Sequence, residues 1–445
     1  PAAIVVLTRV PGIGPRTARR LHESLGIEDV ASLLAAARAG RIREMPGFGA
    51  KTEANIIKAI QSMQSDGGRK PLYQALPLAQ QIVSELLKVS GVEHADAGGS
   101  IRRRRDTIGD IDIIAATTDA GRLMERFASL DVFQEITSMG PLRASAVTRS
   151  QIRCDLWAVP PESYWTGLHH VTGSKDHHVR LRGIAGRMGL LINERGVYRD
   201  SDGQAIGIES EEDIYSLLGM SYIPPELRED RGEIEAALSG ALPAIIGRHS
   251  IRGDLHMHTS WSDGGESIDD MARAAQAIGY DYIAITDHSR SLGVAHGLSV
   301  ERVLQQIDEV RGANARARGI RILAGAEVDI LKDGSLDFPD EILERLDVVV
   351  ASIHSGFRQD RATITGRIVA AMQNPHVDIL AHPTGRLLAR RPGYDVDIGT
   401  VIREAARTGT ALEINSYPDR LDLDDEDARA ARDAGVMIAV NTDSH

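Results

Sequence analysis

Cysteine is all but missing: Cys154 is the only one among 445 residues, so no internal disulfide can form and no thiolate zinc cluster can assemble. No apolar run approaches the roughly 20 residues of a membrane-spanning helix, and the first residues lack the basic-then-apolar pattern of an export signal. These absences point to a reducing cytoplasm and no membrane partner. A positive net charge is also missing: 51 Lys+Arg face 63 Asp+Glu, a formal charge of −12, which taken alone argues against a general nucleic-acid binder. The average conceals a segregation. Residues 1–60 carry nine Lys/Arg against five Asp/Glu, whereas residues 422–427 form an acidic run. A basic head and an acidic tail point to different jobs.

What is present is ordinary globular composition, 42% hydrophobic and 26% charged, in a chain long enough for about three domains at roughly 150 residues each. The sequence opens at Pro1 without a methionine and stops at His445 directly after a strand-like run. It reads as a fragment whose last domain lacks its closing segment. Residues 1–66 alternate short helical stretches with two similar turns, Pro11-Gly12-Ile13-Gly14 and Pro46-Gly47-Phe48-Gly49. An amphipathic helix over 76–89 precedes runs with period-two alternation at 109–115 and 152–159, a mixed α/β pattern. Ile223-Pro224-Pro225 and the charged stretch after it mark a domain edge, followed by a linker to about Arg252. From Gly253 onward, apolar strand-like runs alternate with helical stretches at 254–258, 282–286, 320–328, 348–353, 377–381, 411–414 and 436–440. Seven βα repeats predict a barrel.

A parallel βα barrel delivers every strand's C-terminal end to one face, so residues just after the strands converge. Here those positions are metal-ligand types: His256 and His258, Asp263, Asp287 and His288, Glu327, His354, His382, Asp443 and His445. One strand-end histidine is more often packed or surface-exposed. Six of the 15 histidines at such positions, with three carboxylates able to bridge ions, exceed what one closed four-coordinate structural ion needs. Nitrogen and oxygen donors without sulfur suit Zn²⁺, Mn²⁺ or Fe²⁺ in a multinuclear hydrolytic site. These motifs resemble the polymerase and histidinol phosphatase (PHP) superfamily over residues 253–445. The resemblance implies a distorted seven-stranded βα barrel and two or three ions held by His256, His258, Asp263, His288, Glu327, His354, His382, Asp443 and His445.

Upstream, alternation along a strand places Asp110 and Asp112 on one face, with Ile111 and Ile113 on the other. Asp155 lies in a second alternating run, and neighbouring strands would bring the three acids together. Clustered carboxylates raise one another's pKa unless cations neutralise them, so Mg²⁺ or Mn²⁺ is the expected occupant. Two such ions support in-line phosphoryl transfer. Gly99 permits close backbone approach to phosphate, Ser100 offers a hydroxyl and Arg103 a charged fork. A lone Asp-x-Asp is more often a solvated strand edge; joined to the preceding Gly99-Ser100 it is specific. The combination is similar to the nucleotidyltransferase palm. With Thr172-Gly173-Ser174 and the stretch Asn193 to Tyr198, it resembles the X-family DNA polymerases in particular. That resemblance implies catalytic metal binding by Asp110, Asp112 and Asp155, triphosphate binding by Gly99, Ser100 and Arg103, and a sugar and base pocket at Gly173 and Ser174. The chain departs from many family members in having His170-Val171 before that motif and His178 after it, so sugar discrimination is not carried across.

The two glycine turns fit helix–hairpin–helix motifs, in which free N–H groups at a helix start bind phosphate without reading sequence. Gly12, Gly14 and Arg16 in the first copy, with Arg19 and Arg20 after them, and Gly47, Gly49 and Lys51 in the second, followed by Lys58, are the expected DNA contacts. Either copy alone would be read as a plain capped turn; two beside a polymerase-like palm reverse that.

The expected architecture is therefore multidomain α/β: a helix–hairpin–helix region at 1–70, a palm at 71–160, a thumb at 161–230, a linker at 231–252 and a PHP barrel at 253–445 without its C-terminal end. The resemblance implies a template-directed X-family DNA polymerase joined to a PHP 3′→5′ exonuclease, filling short gaps in base-excision repair. Its partners would be gapped or primer–template DNA and dNTPs, and it would act as a cytoplasmic, nucleoid-associated monomer. Lyase activity is left unpredicted. The alternative is a PHP small-molecule phosphatase tethered to DNA by a non-catalytic N-terminal half.

Overall fold

Glycine starts two of the N-terminal helices. The computed structural model describes residues 7, 10, 13–45, 47–65 and 68–445. The chain divides into two compact units, Pro1–Ala244 and Ile245–His445. In the first, helix Pro15–Leu25 begins directly after Gly14, which brings no side-chain cap, and ends at Gly26 with φ 65°. Helix Val30–Arg38 starts on a reciprocal capping box between Asp29 and Ser32. Helix Ala50–Ser65 follows Gly49. Ile13, Leu21, Leu33, Ile42, Phe48 and Ile60 form the core among them. Glu53, only 3% exposed, accepts from the Ile42 and Arg43 amides at 3.2 and 3.0 Å and so ties the third helix to the chain before the second turn. Pro11, Gly12 and Pro46 lie outside the described residues.

Next come β1 (Lys70–Pro71), β2 (Val92–Ala97), β3 (Thr107–Ile108), β4 (Asp110–Thr117), β5 (Phe133–Met139), β6 (Arg143–Thr148) and β7 (Arg153–Val159). β1 pairs with β3, and the others form a five-stranded sheet in the order β2-β4-β7-β6-β5. Its central pair, β4 and β7, is parallel, with Asp112 opposite Asp155 and Asp110 opposite Arg153. Ile111 and Ile113 turn into the core with residues of helices Leu72–Leu86 and Ala120–Ala128. Alternation then puts the acids on the opposite face. The first of these helices begins earlier than the apolar periodicity indicated, because Pro71 at its N-cap fixes the entry of the chain.

Helices Tyr164–Thr172 and Lys175–Arg187 lead into a three-stranded antiparallel sheet of β8 (Leu190–Asn193), β9 (Gly196–Arg199) and β10 (Ala205–Ile206). Residues 233–239, placed with the linker on sequence, instead form helix Glu233–Ser239, with Ile234 and Ala237 buried beside Leu181, Val197 and Ile214. Glu233, the last residue of the charged stretch read as a domain edge, points inward and meets His177 Nδ1 at 2.7 Å.

The second unit is a seven-stranded, wholly parallel sheet in sequential order: β11 (Gly253–Asp254), β12 (Tyr282–Ile285), β13 (Arg321–Asp329), β14 (Val348–Ser352), β15 (Ile379–Leu380), β16 (Ala411–Asn415) and β17 (Ile438–Asn441). Helices between the strands cover it, as in Ile268–Ala277, Val300–Arg316 and Arg361–Met372. Hydrogen bonds join the first and seventh strand ends. The Asp443 amide donates to the His256 carbonyl at 3.0 Å, and the His258 amide to the Ser444 carbonyl at 2.8 Å. Asp254 accepts from the Thr442 amide at 3.1 Å and Asn441 Oδ1 from the Leu255 amide at 3.0 Å. Every seam bond involves residues of the first and seventh strand ends, which brings both sets of histidines to one rim.

Candidate metal centres

In the first unit the register of β4 and β7 sets the geometry. Arg153 Nη2 lies 2.9 Å from Asp110 Oδ2 and 3.1 Å from Asp155 Oδ2, so a guanidinium bridges two of the acids. Burial, reinforced by the charges of Asp110 and Asp155, pushes the Asp112 carboxyl up to about 7. A buried acid made costly to ionise by two neighbouring carboxylates belongs to a donor set that a divalent cation relieves. Gly99 carries φ 56°, and a Cβ there would sit 2.3 Å from Asp112 Oδ2. Only glycine fits. The Gly98 amide donates to the Asp112 carbonyl at 2.8 Å, docking the short helix Gly99–Arg102, with Ser100 on it, against β4.

Arg103 reaches away from the acids. Its Nε is 2.8 Å from Glu229 Oε1 and its Nη1 donates to the Thr172 carbonyl at 2.6 Å. Holding a phosphate would require exchanging these bonds. Gly173 ends helix Tyr164–Thr172, and Ser174 Oγ caps the next helix by accepting from the His177 amide at 3.2 Å. His178 folds over Gly173: a Cβ on that glycine would lie 2.9 Å from His178 Nε2. Burial pushes the His178 imidazole down to about 3, so it is neutral, and it meets the His170 carbonyl at 2.8 Å. At the hairpins, Gly14, Arg16, Arg19, Gly47, Gly49 and Lys51 are exposed, and the Arg20 guanidinium stacks on Phe48 at 4.8 Å, joining the two copies. Gly12 lies outside the described residues, and nothing is described of the Lys58 side chain.

In the barrel, eight of the nine proposed ligands fall into three groups whose ligand atoms lie within 4.8 Å of one another: His258, Asp263, His288 and His445; His256, His258 and Asp443; His288, Glu327 and His354. The ninth, His382, places Nε2 3.0 Å from Glu327 Oε1. His256 and His258 lie beyond β11, on the extended seam next to Ser444, and their ring centroids are 5.2 Å apart. Shared members make the groups one continuous cluster.

The cluster is underbonded. His256 Nε2, His258 Nδ1, His288 Nδ1, Glu327 Oε2 and His382 Nδ1 are buried without a hydrogen-bond partner. His288 Nδ1 and Glu327 Oε2 approach to 2.7 Å off the hydrogen-bonding direction. Each orphaned buried polar atom costs roughly 1–3 kcal/mol, and a set of nitrogen and carboxylate donors around Glu327 is what divalent ions complete. The residues therefore fit a multi-metal site. Burial would raise the Glu327 carboxyl, but His354, His288 and His256 hold it well below its ordinary value. His382 and Asp443 take φ of 31° and 52°, left-handed conformations that non-glycine residues adopt at a cost and that concentrate at functional sites.

Asp287 accepts from the Thr259 amide at 2.8 Å, the Ser262 amide at 3.1 Å and Gln306 Nε2 at 2.5 Å, and so holds the turn that presents Asp263. Gly264 lets that turn close: a Cβ would lie 2.6 Å from the His258 carbonyl carbon. Sequence reasoning missed Asp329, which meets His354 Nδ1 at 2.6 Å, and Glu413, which meets His256 Nδ1 at 2.8 Å. The available signal was an acid inside an otherwise apolar barrel strand.

A palm-like sheet with a carboxylate triad and a barrel rimmed by histidines define a class: chains that join two phosphate-ester centres. Models of three families match: SAM-like helix-hairpin-helix tandem at 4–62, DNA polymerase beta thumb at 167–229 and PHP domain at 254–416. The DNA polymerase/3′-5′ exonuclease PolX of Bacillus subtilis (strain 168) is 40% identical over 447 residues, covering 100% of this chain and 78% of that protein. A probable phosphatase of Thermoanaerobacter sp. (strain X514) is 34% identical over 204 residues, 43% of this chain and 78% of its own length. A solved Leishmania infantum polymerase beta is similar at 25% identity and a TM-score of 0.34, covering 51% of this chain and 98% of that one. The chain belongs to the bacterial X family of DNA polymerases that carry a PHP 3′-5′ exonuclease domain.

Among the described residues no helix is long and apolar enough to cross a membrane.

Proposed function

We propose that the acids of β4 and β7 carry template-directed nucleotide addition and that the barrel rim carries 3′→5′ removal, on gapped or primer–template DNA with dNTPs, in short-gap filling during base-excision repair. The observation that carries the first assignment is the parallel register placing Asp112 opposite Asp155. Asp110 and Asp112 would hold two Mg²⁺ or Mn²⁺ ions and Asp155 the one nearer the primer end; bound there, they neutralise charge and lower the pKa of the attacking hydroxyl. Gly99 keeps the phosphate-binding helix close to Asp112, Ser100 and Arg103 would take triphosphate oxygens, and Gly173 and Ser174 would line the nucleotide pocket. Arg153, paired with two of the acids, would have to release them for these residues to hold the ions. Gly14, Arg16, Gly47, Gly49 and Lys51, with Gly12, would grip backbone phosphates without reading bases.

At the barrel, His256, His258, Asp263, His288, Glu327, His354, His382, Asp443 and His445 would hold two or three Zn²⁺, Mn²⁺ or Fe²⁺ ions, which supply a hydroxide near neutral pH and polarise the phosphoryl group. Glu327, central to the rim, and the histidines around it would be among the residues that hold the ions. The phosphatase reading has likenesses to probable phosphatases in its favour, among them the Thermoanaerobacter relative, but that likeness spans only 43% of the chain. Incubating a 5′-labelled primer–template with dNTPs and Mn²⁺ separates the readings. Extension together with shortening is expected; hydrolysis of small phosphate monoesters with neither would overturn the assignment.

A further inference from the structure

Glu413 is fully buried on β16, between β15 and β17. Four hydrogen bonds converge on its carboxylate. Oε1 meets His256 Nδ1 at 2.8 Å and accepts from Asn441 Nδ2 at 2.9 Å. Oε2 accepts from the His382 backbone amide at 2.8 Å and from Asn415 Nδ2 at 3.1 Å. Asn415 Nδ2 also reaches Asp443 Oδ2 at 3.0 Å, so one side chain connects three strand ends that carry proposed ligands. With both oxygens occupied, the carboxylate is not itself presented to an ion.

The chemistry of these contacts is directional. A carboxylate against Nδ1 fixes the Nδ1–H form of the imidazole and leaves Nε2 with its lone pair. Nε2 of His256 is the atom without a partner. The bond to the His382 amide holds a residue at φ 31°, a conformation that persists only when its surroundings enforce it. Asp329 stands in the same relation to His354, at 2.6 Å from Nδ1, but no backbone amide of another proposed ligand depends on it.

We propose that Glu413 is a positioning residue of the barrel centre: it turns His256 Nε2 toward the ion and anchors the backbone that carries His382. The proposal rests on the reading of His256 and His382 as metal ligands, and its test keeps the two apart. In full-length protein with the palm silenced by Asp110→Ala, the chain is stripped with chelator and titrated calorimetrically with Mn²⁺, with and without Glu413→Gln. Gln matches Glu in size but sets an amide nitrogen against an N–H donor. A fall in Mn²⁺ affinity of about 10- to 100-fold is expected, with little change in the melting temperature of the metal-free protein and with primer shortening restored at saturating Mn²⁺. Equal affinity in the two proteins overturns the role of Glu413, and so does a loss of shortening that excess Mn²⁺ does not restore. No binding even with Glu413 intact overturns instead the metal reading beneath it. If the variant does not fold, long-range ¹H–¹⁵N spectra of the Zn²⁺-loaded protein retaining Glu413 decide the matter: a proton on His256 Nδ1 is expected, and a proton on Nε2 overturns the proposal.

Discussion

Gly99 occupies the tightest contact of the palm centre, and its two constraints are separable. Its φ of 56° costs an ordinary residue roughly 1–2 kcal/mol, a modest loss of stability. The space constraint is harsher, because a methyl group there would meet Asp112 Oδ2 at 2.3 Å. The helix bearing Ser100 or the carboxylate must move. Displacement of about 1 Å between reacting groups costs on the order of 100-fold in rate, so Gly99→Ala is expected to slow nucleotide addition by about that factor while leaving primer shortening unchanged, as read by gel-resolved primer assays. Equal slowing of both activities would show that the damage is to folding. The same residue shows what sequence reasoning could reach. Gly99 could be singled out from Gly99-Ser100 before Asp110-Ile111-Asp112, but the contact that requires glycine there could not. Its contact comes from a strand whose register with the helix is set by the Gly98 amide bond to the Asp112 carbonyl. Arg103 teaches the complementary lesson, since its bonds to Glu229 and Thr172 come from chain far downstream.

Elements were legible where burial imposes a period. The seven barrel strands read as short apolar runs because a parallel sheet covered by helices is buried on both faces; all five residues of β14 are buried. Asp110 and Asp112 were legible because alternation separates them from Ile111 and Ile113. Buried charge was not, since its meaning depends on partners. The thumb core contains Arg228 at 0% exposure, paired at 2.6 Å with Glu211 Oε1, while Arg102 takes Glu211 Oε2 at 2.5 Å. Truncating one member of a buried pair leaves the other uncompensated and costs about 3–5 kcal/mol. Glu211→Gln is thus expected to destabilise the first unit by that amount in urea unfolding. Burial alone would raise the Glu211 carboxyl, but the Arg102 hydrogen bond and the Arg228 charge hold it below its ordinary value of 4.5. A depressed folded-state pKa contributes stability that is fully present above the ordinary value and is lost as pH falls through the folded one. The unmutated protein should therefore lose urea resistance more steeply than Glu211→Gln over the acid range below 4.5, and parallel losses would deny Glu211 this role. On the hairpin element, Lys51→Glu should weaken binding to all DNA sequences alike and reduce the salt slope by about one unit, because a phosphate contact carries no base information.

For the whole molecule, the two donor nests fall in different compact units and use no common residue. The palm triad is carboxylate alone, whereas the barrel rim is dominated by imidazole. Sites that are packed in separate units and share no partner combine independently, so their losses should not propagate. Asp110→Ala removes a charge that Arg153 and the neighbouring acids are built around, and it is expected to lower extension by roughly 100- to 1,000-fold with shortening intact. His258→Ala removes one of the two residues, with His288, that belong to two of the barrel groups, and it should lower shortening by a similar factor with extension intact. Chelation followed by graded metal return adds a second axis. Oxygen-only donors favour Mg²⁺ or Mn²⁺, while imidazole-rich ones hold Zn²⁺, Mn²⁺ or Fe²⁺. Mg²⁺ alone should therefore restore extension before shortening, and Mn²⁺ should restore both. Primer assays on the chelated protein check this directly, and a Mg²⁺ titration restoring both activities in step, or either variant losing both activities while folded, would mean that one centre serves both reactions.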